Sequence, residues 1–270
     1  MPMSMRQFVP RKSVRQSTSP FLTLLIFSFL GLTILMQIAY PLVDGSVLDF
    51  ITVASVYTAA TSMFLHGFAV YGARYSFTLL VIAVLFGFWI EQLGVTTGWP
   101  FGDYVYSDTL GPKVLDVPLV VPFAWLMIAH PCLVAARRIA KSWVFLYGAS
   151  LMCAWDLFLD PLMVTAGRWT WQVDGAHVPF QPEIPLSNAF GWLLTGMGLM
   201  ALLHLLLPSE RRSLGSSRAV PEFFLAWTWI GGVIANLFYF DRPGVAFLGG
   251  LALGVVVVSY FLSVKYGRRD

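Results

Sequence analysis

Three carboxyl groups stand inside runs that are otherwise apolar: Glu91 in "WIEQLGVTTGW", and Asp156 and Asp160 in "AWDLFLDPLMV". A carboxyl shielded from water can hand a proton to a substrate or take one from a water, and two neighbouring carboxyls can share one proton. Asp156 and Asp160 are four residues apart, so a helix puts them on one face. Pro161 follows directly; it cannot donate to the carbonyl of Leu157, which predicts a kink and a free acceptor beside the pair. Aromatic residues crowd the same stretches: Trp89, Trp99, Phe101, Tyr104, Tyr106 and Trp125 around the first carboxyl, Trp155, Trp169, Trp171 and Trp192 around the other two. Indole faces stabilise a cation without a counterion, although many such residues belong to an interfacial aromatic belt.

The elements that position these groups are membrane helices. Of the 270 residues 57% are hydrophobic and 11% charged, the composition of a polytopic membrane protein. Spans of about 20 apolar residues are needed to cross a bilayer, and eight are expected, roughly at 21–43, 47–72, 76–95, 117–136, 143–165, 187–207, 222–240 and 243–265. The fold class is thus all-α, one transmembrane domain over 21–265 between a basic tail, 1–20, and a short basic end, 266–270. Fourteen of the 17 Lys and Arg residues fall on one side of this arrangement; Lys113, Arg168 and Arg242 fall on the other. That asymmetry places both termini in the cytoplasm. At about 1.5 Å per residue Asp156 lies roughly 20 Å, and Glu91 and Asp160 roughly 23–26 Å, from the cytoplasmic ends of their helices. All three are in the outer half.

The two longest outer connections resemble each other. "EQLGVTTGW" with the later "DVPLVVPFAW" can be laid over "DPLMVTAGRW" with the later "EIPLSNAFGW". Glu91 then matches Asp160, Val95–Gly98 matches Val164–Gly167, and Asp116–Trp125 matches Glu183–Trp192, the offset moving only from 69 to 67. This predicts a repeat of helices three and four in helices five and six, about 85–136 and 154–207, around a pseudo-axis along the membrane normal. Asp156 matches Gly87 and has no carboxyl counterpart.

Other features exclude function classes. No phosphate-binding loop or dinucleotide fingerprint occurs, and the net charge of +3 is the topological asymmetry rather than a nucleic-acid surface. Cys132 and Cys153 are too few for a cysteine metal site. His66, His130 and His204 lie on inward-running helices and read as hydrogen-bonded side chains. The small-residue spacing of "GLALG" suits close approach of the last helix to a neighbour or a second subunit.

From "WIEQLGVTTGWPFGDYVYSDTLGPKVLDVPLVVPFAW" through "AWDLFLDPLM", "GRWTWQ" and "EIPLSNAFGW", over about residues 85–207, the chain resembles the CruF-type membrane carotenoid biosynthesis proteins, the carotenoid 1',2'-hydratases and bisanhydrobacterioruberin hydratases. The resemblance implies addition of water across the terminal double bond of an acyclic carotenoid, giving a tertiary alcohol, with no redox cofactor and no metal. Asp160 or Glu91 would be the general acid, and Asp156 would orient and deprotonate the water. Trp125, Trp155 and Trp192 would line the cation, Asn188 would bond the water or the new alcohol, and Trp99 and Tyr104 would complete the substrate site. The implied partners are the carotenoid, membrane lipid and other carotenoid enzymes, without nucleic acid, and the implied location is the cell membrane. A cyclase-like isomerase and a proton-coupled transporter are the competing classes.

Overall fold

The computed structural model describes residues 19–140, 142–207 and 217–266. The basic tail over 1–18, Lys141, Arg211, Arg212 and the residues after 266 lie outside them. Eight helices follow in order: α1 (Pro20–Ala39), α2 (Gly45–Tyr71), α3 (Ala73–Thr97), α4 (Val120–Ile139), α5 (Val144–Thr165), α6 (Leu186–Leu206), α7 (Ala219–Phe238) and α8 (Pro243–Tyr266). Seven of them are long and apolar enough to cross a bilayer by length and composition. The eighth, α5, spans 22 residues and carries Asp156 and Asp160. The chain is therefore a multi-pass membrane protein.

Local chemistry sets the helix limits. α1 stops at Ala39 rather than at the expected 43, because the chain tightens into a separate 3-10 turn over Tyr40–Leu42 around Pro41. α3 closes on Gly98, whose φ of 71° is the left-handed cap conformation that glycine adopts without a Cβ penalty. α4 starts at Val120, three residues later than expected, since Val117–Pro118 is drawn into a strand pair. α4 is also the buried centre of the bundle, with Trp125, Leu126, Ile128, Ala129, Leu133 and Ala136 almost wholly enclosed.

The connections of one end of the bundle hold short strands that the helical expectation did not include. β1 (Tyr104–Tyr106) pairs antiparallel with β4 (Trp169–Trp171), β2 (Lys113–Val114) with β3 (Val117–Pro118), and β5 (His177–Val178) with β6 (Gln181–Pro185). The first pair ties the α3–α4 connection to the α5–α6 connection, in the register Tyr104 with Trp171, Val105 with Thr170 and Tyr106 with Trp169. This strand end is also where Lys113, Arg168 and Arg242 lie, and each has an acidic partner: Asp108 at 2.8 Å, Asp49, and Glu183 at 2.5 Å respectively. The exposed Lys113 pair contributes little to stability. Arg168 is enclosed, and its charge is matched by Asp49.

Candidate active site

Glu91 sits late in α3 and is buried. Two phenols and an indole converge on it. Tyr104 and Tyr106 donate to its Oε2 at 2.6 and 2.7 Å, and Trp125 Nε1 donates to its Oε1 at 2.9 Å. The tyrosines reach one carboxyl because they are two apart on strand β1 and so share a face, while Val105 between them points outward and is exposed. Burial, and after it the Glu91 charge, push both phenols well above their ordinary range. They therefore keep their protons and act as donors. With three donors aimed at it, Glu91 is surrounded as an acceptor-only carboxylate would be.

The approach of Trp125 depends on Gly87, one turn before Glu91. A Cβ on Gly87 would lie 2.7 Å from Cγ of Trp125, closer than packed atoms tolerate. We expect Gly87→Ala to push Trp125 off Glu91 and to destabilise the protein by about 1–3 kcal/mol through overpacking. Thermal unfolding in detergent, followed by tryptophan fluorescence, measures it.

Asp156 and Asp160 are both buried on α5, and Asn188 of α6 joins them. Its Nδ2 donates to Oδ2 of Asp156 at 3.1 Å and to Oδ2 of Asp160. Oδ1 of Asp156 is buried with no partner among the described residues. The carbonyl that Pro161 frees is occupied: Gln181 of β6 donates Nε2 to Leu157 O at 3.1 Å. That bond fastens the β5–β6 hairpin to the helix one turn from Asp160. Gln181→Leu would leave a buried carbonyl unpaired, for an expected loss of about 1–3 kcal/mol, readable as a lower unfolding temperature with little change in helix content.

Glu91, Asp160 and Asn188 open on one cavity. Its walls include the stacked indoles Trp125 and Trp192, 4.7 Å between centroids and 11° between planes. Tyr104 and Tyr106 also line it. Other expected members stand elsewhere. Asp156 lies behind Asp160 and Asn188 and is not on the wall. Trp155 packs edge-on against Phe224 of α7, ring centroids 5.2 Å apart, and Trp99 is 56% exposed at the surface, both away from the lining. Sequence reasoning did not choose Tyr106, Trp169 and Trp171 for the site, nor Thr52 and Val56 of α2, all of which line the cavity. The alternation in "YVY" carried a signal for Tyr106; α2 carried none. The histidines stay apart from the cavity: His66 Nδ1 and His130 Nε2 are 2.9 Å apart.

An integral membrane helix bundle whose buried carboxyls meet stacked indoles in an apolar chamber is the class of protein that fold and site define. The chain belongs to the carotenoid biosynthesis protein family, whose model matches residues 47–259. Over 128 residues it is 36% identical to the bisanhydrobacterioruberin hydratase of Haloarcula japonica, a match covering 43% of this chain and 41% of that protein. The matched segment thus spans about two fifths of the length of that curated relative. No solved structure matches the chain.

Proposed function

We propose that the protein is a carotenoid hydratase acting on the terminal double bond of an acyclic carotenoid. The observation that carries this reading is that two carboxyls in different hydrogen-bond surroundings, Glu91 and Asp160, line one aromatic, apolar cavity. Asp160 is the acid. Asn188 engages its Oδ2 and leaves Oδ1 for the proton, which adds to the CH carbon of the alkene as the π bond breaks. The tertiary cation left on the neighbouring carbon is stabilised by the indole faces of Trp125 and Trp192. Water forms the new C–O bond, and its surplus proton passes to Glu91. A proton returned through water from Glu91 to Asp160 resets the pair, so the sum is alkene plus water to tertiary alcohol, with no cofactor required.

The base role that the sequence suggested for Asp156 passes to Glu91 in this reading, because Asp156 is off the wall. Asp156 becomes a positioning residue that holds the Asn188 amide. Two further proposals accompany the mechanism. The α3–α4 and α5–α6 hairpins are a repeat of one another: their connections pair through β1 and β4, and the counterparts Trp125 and Trp192 stack on each other. The strand end faces out of the cell, as the Lys and Arg asymmetry supports.

Expression in cells that accumulate an acyclic carotene tests the function. The reading expects a product heavier by one water and carrying a tertiary hydroxyl. A cyclised product of unchanged mass would assign the protein to the isomerases instead, and unaltered carotene would point to carriage or transport.

A further inference from the structure

Asp156 is 3% exposed, and so is Asp160, one turn further along α5. A single nitrogen, Asn188 Nδ2, donates to Oδ2 of each, at 3.1 Å for Asp156. Two hydrogen bonds that share one nitrogen hold the two carboxyls close together, with only a neutral amide between them. No cation offsets them: among the described residues the Lys and Arg ion pairs are Lys113 with Asp108, Arg168 with Asp49 and Arg242 with Glu183. Two like charges buried this closely are strongly disfavoured.

The surroundings of Asp156 also differ from those of Glu91. Glu91 collects three donors over both of its oxygens. Asp156 has the Asn188 amide on Oδ2, while its Oδ1 is buried with no partner among the described residues. As a carboxylate oxygen, Oδ1 would be a bare acceptor out of reach of water, the costly case. As the O–H of a carboxylic acid it is a donor, and the acceptor that helical spacing sets on the same face is Asp160. The state of Asp156 also decides what Asp160 can do. An ionised Asp156 would accept the Asp160 proton and turn it from the cavity, whereas a neutral one leaves that proton free for the alkene.

Resting on the hydration reading above, we infer that Asp156 is a carboxylic acid that keeps its proton throughout the cycle and donates from Oδ1 to Asp160. When the O–H bond of Asp160 breaks and the new C–H bond forms, the electron pair left on Asp160 is met by two donors, the Asp156 hydroxyl and the Asn188 amide. Asp156 acts through Asp160 and is off the cavity wall, so it is a positioning residue. The two aspartates of one helix turn should then respond in opposite ways to the same substitution.

The test compares Asp156→Asn and Asp156→Leu with the parent, as full chains in detergent given an acyclic carotene. Asparagine is neutral, accepts from Asn188 through its oxygen and donates to Asp160 through its NH₂, so Asp156→Asn should hydrate within a few-fold of the parent. Asp156→Leu keeps the size and loses the donor. Its kcat should fall about 10²-fold, the effect of removing one donor from a developing oxyanion, with KM little changed because the donor is felt only as charge appears. Infrared difference spectra read the proton itself and need no turnover: parent minus Asp156→Asn should contain the carbonyl band of a protonated carboxyl. Where Asp156→Leu fails to fold, the asparagine variant and the spectra still decide. Carboxylate bands in that difference, a folded Asp156→Asn chain about 10²-fold slower than the parent, or a folded Asp156→Leu chain at the parental rate would overturn the role of Asp156 and leave hydration standing. A parent chain that makes no alcohol would overturn the hydration reading and this role with it.

Discussion

Replacing Asp160 by Asn is expected to lower the hydration rate by about 10²–10⁴-fold, the usual contribution of a general acid. Asn has almost the same shape, and its side-chain oxygen can still accept from Asn188, so the bundle and the cavity should survive. Carotene binding, read by quenching of the cavity indoles, should stay within a few-fold of the parent. A rate within tenfold of the parent, at equal expression, would remove Asp160 from the acid role.

Glu91→Gln should be nearly as damaging for a different reason. The Glu91 carboxylate faces the developing cation from the cavity wall before Asp160 has given up its proton, and removing such a preorganised charge costs about 10²–10³-fold. Stability should fall as well. Trp125, Tyr104 and Tyr106 all donate to Glu91, and the amide NH₂ of glutamine would meet one of these donors with another donor. An expected loss of about 1–3 kcal/mol follows from the group left unpaired. The pattern that distinguishes the two carboxyls is a slow but normally stable Asp160→Asn beside a slow and less stable Glu91→Gln, compared by thermal unfolding and product analysis on the same preparations.

The helices were legible in the sequence because bilayer-length apolar runs leave little freedom in where a span begins and ends. The match between two loops set Glu91 and Asp160 as counterparts in the sequence, and both side chains line one cavity. The failures have physical causes. Trp155 is next to Asp156, but successive residues of a helix point about 100° apart, so the indole turns to Phe224 while the carboxyl turns to Asn188. Trp99 and Phe101 are both aromatic residues of one loop, and nothing in residue type says that the first is exposed and the second buried. Gln181 answers a carbonyl freed by Pro161; the free acceptor was foreseeable, whereas its partner comes from a hairpin whose placement only the fold decides. Asp156 illustrates the same limit: helical spacing put it beside Asp160, and only packing set it behind.

The central claim is that this cavity adds water to an alkene. Purified parent protein and Asp160→Asn, given an acyclic carotene in water labelled with heavy oxygen, test it most directly. The account predicts a tertiary alcohol carrying the label from the parent and nearly none from the variant; an unlabelled product, or a labelled alcohol formed equally by both, would contradict it.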